Sequence, residues 1–140
     1  MKIYISKSQL ASDEHVEKAK TLFNDNHPSI CEYEHYDFKK HGKYDVSKMI
    51  DDKDAVIIVA PENNNPKAEQ DEVISISVGF GNFQEAKYAK SKDKQVYFYN
   101  KEVNSLCKLI GGKAYDDNFK GKNPKYMYGK LYGKTSIIDE

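Results

Sequence analysis

Ala55-Val56-Ile57-Ile58-Val59-Ala60 is the stretch that decides the fold. Six consecutive apolar residues, four of them β-branched, predict a strand buried on both faces, as in the centre of a parallel sheet. Upstream, Lys2-Ile3-Tyr4-Ile5-Ser6 alternates and predicts a first strand. Ser12-Asp13-Glu14 supplies a helix cap and acids for a first turn. Val16, Ala19, Leu22 and Phe23 then follow at helical spacing. Residues 30–36 alternate as a second strand, and residues 45–51 suit a short helix. Downstream, residues 61–71 read as a loop and residues 73–78 as an extended piece. A helix is expected over 83–91, a strand over 95–100 and a short helix over 102–110, ended by Gly111-Gly112. This order predicts an α/β protein: one three-layer domain over residues 1–140 with a mainly parallel sheet of about five strands. Residues 113–140, rich in Tyr and Lys, are expected to pack as a tail on that domain or across an oligomer.

Composition narrows the function. The 140 residues carry 22 basic and 22 acidic side chains, and every basic one is Lys. Without Arg there is no bidentate fork for a phosphate or carboxylate. Zero net charge argues against a general nucleic-acid binder, although the six Lys among aromatics in residues 113–134 would suit a single-strand platform. Cys31 and Cys107 form neither a disulfide framework nor a zinc pattern, which predicts a reduced, cytoplasmic setting. The opening reads as a strand rather than an export signal, and the longest apolar run is too short to cross a membrane. The four His have no metal-ligand spacing on one helix face, so no metal is expected. Cys107 reads as a structural thiol, and Asp51, Asp52 and Asp54 as a solvated strand entrance.

Chemistry concentrates in Gly79-Phe80-Gly81-Asn82-Phe83-Gln84-Glu85. Glycines permit close backbone approach to a ligand, and a carboxylate at a helix start in a crevice can attack or stabilise a sugar carbon. The same spacing also suits Asn82 as N-cap with Glu85 at the third helical position, a capping box with no catalytic meaning. Both readings stand at this point. In a parallel sheet the residues after strand one, Ser6 to Ser8, and those after the central strand would face the same crevice as this helix.

Three segments resemble the nucleoside 2-deoxyribosyltransferase superfamily, which includes deoxynucleoside-monophosphate N-glycosidases. They are Lys2 to Ser6, Ile50 to Val59, and Gly81-Asn82-Phe83-Gln84-Glu85-Ala86-Lys87-Tyr88-Ala89 with the strand after it. The last is similar to the family's Gly-Thr-x-x-Glu-x-Gly-Tyr-Ala helix. The resemblance implies a Rossmann-like or flavodoxin-like layout, and cleavage or transfer at the N-glycosidic bond of a deoxynucleoside or its 5′-monophosphate. It implies Glu85 as nucleophile and Tyr4 as its positioner, with no cofactor. Gly81 matches the motif glycine, and Asn82 stands for the usual Thr. The family's sites are often completed by a neighbouring subunit near the C-terminus, which implies a homodimer or higher oligomer; Asn123 and Met127 are the residues to place there. Two features depart from the pattern. Gly79 stands where the family commonly has Asp, and Ala60-Pro61-Glu62 stands where it carries an acid, leaving Glu62 as the candidate. Ser6, Lys7 and Ser8 replace a Gly-rich turn and offer hydroxyls and an ammonium for a sugar or phosphate. A protein with the nucleophile but without acid partners suits either a shifted substrate or a non-catalytic nucleotide-binding module, a sensor or sequestering protein.

Overall fold

The computed structural model describes residues 1–27, 29–114 and 129–135. Twelve elements run in the order β1 (Lys2–Lys7), α1 (Asp13–Asp25), β2 (Glu32–Glu34), α2 (Phe38–His41), α3 (Val46–Ile50), β3 (Ala55–Val59), β4 (Lys67–Gln70), β5 (Val73–Val78), α4 (Phe80–Ser91), β6 (Gln95–Asn100), β7 (Ser105–Ala114) and β8 (Gly129–Lys134). Among the described residues, eight strands join one sheet in the order β2-β1-β3-β6-β7-β8-β5-β4.

β3 is buried at all five positions. Val56 and Ile58 pack with Val96, Phe98, Met49 and Ala86, on the side of α3 and α4. Ala55, Ile57 and Val59 pack with Ile3, Ile5, Phe23 and Tyr97, on the side of α1. α1 starts at Ser12, whose side chain accepts from the Glu14 N–H, and it buries Val16, Ala19 and Phe23. Its cap and stripe follow the local sequence signals.

The sheet is not the mainly parallel, five-stranded, three-layer arrangement that the sequence predicts. β2, β1, β3 and β6 pair in parallel. From β6 onward every pairing, to β7, β8, β5 and β4, is antiparallel. The expected helix over 102–110 is strand β7. Val103, Leu106, Cys107 and Ile110 satisfy a helical spacing, but a short apolar run satisfies both periods and pairing decides between them. Here Cys107 lies opposite Phe98 on β6, and Gly112 lies opposite Leu131 on β8. Within the segment expected as a tail, residues 129–134 are β8, inserted between β7 and β5. Within the expected loop 61–71, residues 67–70 form edge strand β4, turned onto β5 through Asp71 and Glu72, both at positive φ.

Two glycines of β8 let aromatic rings lie close to the strand. A Cβ on Gly129 would sit 2.2 Å from the Phe83 ring of α4, and one on Gly133 would sit 2.5 Å from the Phe98 ring. Both aromatic rings therefore lie directly on β8 backbone. Among the described residues, no helix is long and apolar enough to cross a membrane.

Candidate active site

The parallel half contains a topological switch: β1 connects outward to β2 on one side and lies against β3 on the other. Ligands bind beyond strand carboxyl ends at such points. β1 presents Tyr4 and Ser6 there, with Ser6 in register with Ile58 of β3. α4 descends over the same edge. Its N-cap is Gly79, in extended conformation and with no side-chain cap bond. The helix thus begins at Phe80, three residues earlier than the sequence predicts. Asn82 is not a cap, and Glu85 is the sixth helical residue rather than the third. The capping-box reading is corrected: both side chains point inward and are buried.

The Glu85 carboxylate, 5 % exposed, is held by three hydroxyls. Ser6 Oγ donates to Oε1 at 2.6 Å. Tyr4 and Tyr44 both donate to Oε2, at 2.5 and 2.9 Å. Asn82 Nδ2 donates to the Ser6 carbonyl at 2.9 Å and to Ser6 Oγ at 3.0 Å, which leaves the Ser6 proton aimed at Glu85. Asn82 Oδ1 is buried and has no partner among the described residues. Burial pushes the Glu85 carboxyl above its ordinary range, against the bonds from Ser6, Tyr4 and Tyr44, which pull it down. Burial first, and then the Glu85 charge, hold the phenols of Tyr4 and Tyr44 well above the usual range, so both stay protonated as donors.

Tyr44 has no local sequence signature, because its partner lies 41 positions away. It is set by α3, which begins two residues later on an Asp45 cap. α3 in turn is tied to α4, where Tyr88 donates to Asp51 at 2.5 Å. The Tyr36 ring stacks edge-on against Tyr44, with centroids 5.1 Å apart, and its hydroxyl donates to the Gly42 carbonyl. Below this segment, buried Lys53 pairs with Glu34 at 3.0 Å and Asp52 at 2.7 Å, and Lys40 pairs with Glu34 at 2.8 Å. That clasp holds the α2 segment against β2.

Glu85, Tyr4, Tyr36, Phe38, Tyr44 and His35 line a cavity of about 540 Å³, a volume in the range of small-molecule sites. A second cavity of about 380 Å³ is lined by Gly79, Phe80, Gly81, Asn82 and Leu10. Ser8 and Gln9 border both. The sequence candidates Tyr4, Ser6, Ser8, Gly79, Gly81, Asn82 and Glu85 thus gather at one strand edge. Glu62 does not line either cavity. Its side chain is exposed, its N–H donates to the Leu10 carbonyl at 2.9 Å, and its carbonyl accepts from Lys101 Nζ. Asn123 and Met127 lie outside the described residues. Among the described residues, no group of three or more His, Cys, Asp or Glu side chains converges as a metal site.

Compared with known proteins, the chain matches no family model, no curated protein and no solved structure.

Proposed function

We propose that this protein cleaves or transfers at the N-glycosidic bond of a nucleoside or nucleotide, with Glu85 as the nucleophile. One observation carries the reading. Glu85 is buried at a cavity wall among three hydroxyl donors rather than spent on a helix cap. A carboxylate placed this way is desolvated yet oriented. Attack on an anomeric carbon needs both, because a solvated carboxylate is a weak nucleophile and a mobile one loses alignment. The resemblance of Gly81 to Ala89 to the deoxyribosyltransferase helix supports the same role. Tyr4, Ser6 and Tyr44 orient the carboxylate, and Ser8, Gly79, Gly81 and Asn82 border the space for sugar or phosphate.

The test is release of free base from a nucleoside panel. Glu85→Gln keeps the shape and removes the nucleophile, so release is expected to fall by at least about 1,000-fold. A variant with unchanged activity ends the assignment. A binding module without turnover is the second reading, favoured by the position of Glu62 outside both cavities. Thermal stabilisation by nucleosides with no product formed would support it, and Glu85-dependent product would exclude it.

A further inference from the structure

If Glu85 attacks an N-glycosidic bond, the leaving base must be able to depart, and the cavity carries little to protonate it. Among the described residues, Tyr4 and Tyr44 donate to Glu85 itself. Tyr36 donates to the Gly42 carbonyl. Lys7 is paired with Asp13 at 2.7 Å. Asp37 accepts from the Lys39 N–H at 3.0 Å, capping α2. His35 lines the cavity but is exposed to solvent, and among the described residues no hydrogen bond or ion pair fixes it toward the leaving group. Glu62, the acid implied by the resemblance, lies elsewhere. A neutral purine or pyrimidine leaving without a proton forfeits the about 10²- to 10⁴-fold that a general acid supplies.

Two acids, Glu85 and Asp37, line the cavity with Lys7 and His35, and Lys7 is already paired with Asp13 at 2.7 Å. Glu85 is buried among hydroxyls, and among the described residues no cation is bonded to it. A buried charge of this kind is costly until it is paired. Tyr36, Tyr44 and Phe38 add aromatic rings to the lining beside Ile5, Ser8 and Gln9, with Phe38 71 % exposed. Aromatic rings and a carboxylate that lacks a cationic partner among the described residues together suit a flat cation.

We infer that the substrate is the N-glycoside of a quaternised, cationic heterocycle, a pyridinium or N-alkylpurinium nucleoside. This rests on the proposed N-glycosidic reading and names its substrate class. A Glu85 oxygen forms a bond to the anomeric carbon. The C1′–N⁺ bond breaks, and its electron pair moves to the ring nitrogen, so the base leaves neutral without taking a proton. Water then attacks the anomeric carbon of the glycosyl ester, the carboxylate leaves, and the water's proton passes to solvent. The cationic ring supplies the countercharge of Glu85 in the bound state, and that attraction vanishes on cleavage, which favours product release.

The experiment compares 7-methylguanosine with guanosine on the full chain, at a pH where the methylated ring is cationic, and adds nicotinamide riboside as a pyridinium probe. Released base is measured against the rate without protein. The expected result is a kcat/KM at least about 100-fold higher for both cationic probes than for guanosine, lost in Glu85→Gln. Nicotinamide riboside should also raise the Tm of wild type more than that of Glu85→Gln. Glu85-dependent cleavage of guanosine or 2′-deoxyguanosine at the rate of the cationic probes overturns this inference and leaves the N-glycosidic reading standing. No Glu85-dependent release from either cationic probe overturns this inference, and the N-glycosidic reading then rests on the full nucleoside and nucleotide panel. The comparison on wild type needs no variant to fold.

Discussion

Among the described residues Glu85 is held by oxygen donors alone, and that fixes how its chemistry should respond to pH. Burial raises its carboxyl, and the bonds from Ser6, Tyr4 and Tyr44, in that order of size, oppose the rise. A nucleophile must be ionised, so the acidic limb of kcat/KM follows Glu85 in the free protein. Removing any of the three hydroxyls takes a donor from the charged form only, and the limb should move to higher pH. The largest move is expected for Ser6→Ala, then Tyr4→Phe, then Tyr44→Phe. At neutral pH each change is expected to cost about 10- to 100-fold in kcat/KM, the worth of a hydrogen bond to a charged group. Full pH–rate profiles of the three variants check this, and a limb that stays in place in all three means another group titrates. Tyr4 and Glu85 were legible in the sequence through one resemblance. Ser6 was legible only as a ligand contact, because its hydrogen bond spans 79 positions. Tyr44 was not legible at all, since no spacing rule connects a residue before a short helix to one in the middle of another.

Elements were legible where a local pattern has one solution. β3 and α1 are of this kind: an apolar run too short for a helix in its context, and a cap followed by a helical stripe. The start of α4 was misplaced because Asn82 looks like a cap, whereas an extended Gly79 begins the helix without any side-chain bond. β7 was misread because its apolar spacing fits two periods, and its glycines look like breakers. In the folded chain Gly112, Gly129 and Gly133 serve close approach, whereas Gly111 has open space beside it. A methyl at Gly129 would meet three atoms of the Phe83 ring at 2.2 to 2.9 Å. Gly129→Ala should therefore destabilise by roughly 1–3 kcal/mol, the cost of overpacking a filled core. Phe83→Leu in the same chain should recover part of the loss, because the clash is with that ring and not with backbone. Urea unfolding of the single and double variants measures both, and a Gly129→Ala protein as stable as wild type would remove this account of why β8 lies under α4.

At the scale of the whole molecule, a half-parallel, half-antiparallel sheet leaves one switch point, and two carboxylates near it respond to pH in opposite directions. The Glu34 carboxyl is held down to about 2, first by its bond from Lys40 and then by those from Lys53 and His41. A depressed carboxyl contributes stability above its ordinary range, and that contribution is lost as pH falls through about 2. Glu85 is the reverse case. Its raised carboxyl costs nothing below the ordinary carboxylate range, where folded and unfolded forms are both protonated. Stability is lost as pH rises from that range through the folded value, because the unfolded chain ionises first. The two together place maximum stability near the ordinary carboxylate range rather than at neutrality, with a fall on each side. Tm measured between about pH 2 and about pH 8 should show that dome. Glu85→Gln should match wild type on the acidic side and exceed it on the alkaline side, since the amide carries no charge to bury. Glu34→Gln should lie below wild type at neutral pH, because buried Lys53 keeps only Asp52 as a partner, and should converge with it as pH falls towards 2. If Glu85→Gln instead tracks wild type across the whole range, the carboxylate is not an uncompensated charge in the fold. The cavity would then lack the field that the cationic substrate requires, so this thermal measurement also bears on the chemistry, independently of any turnover.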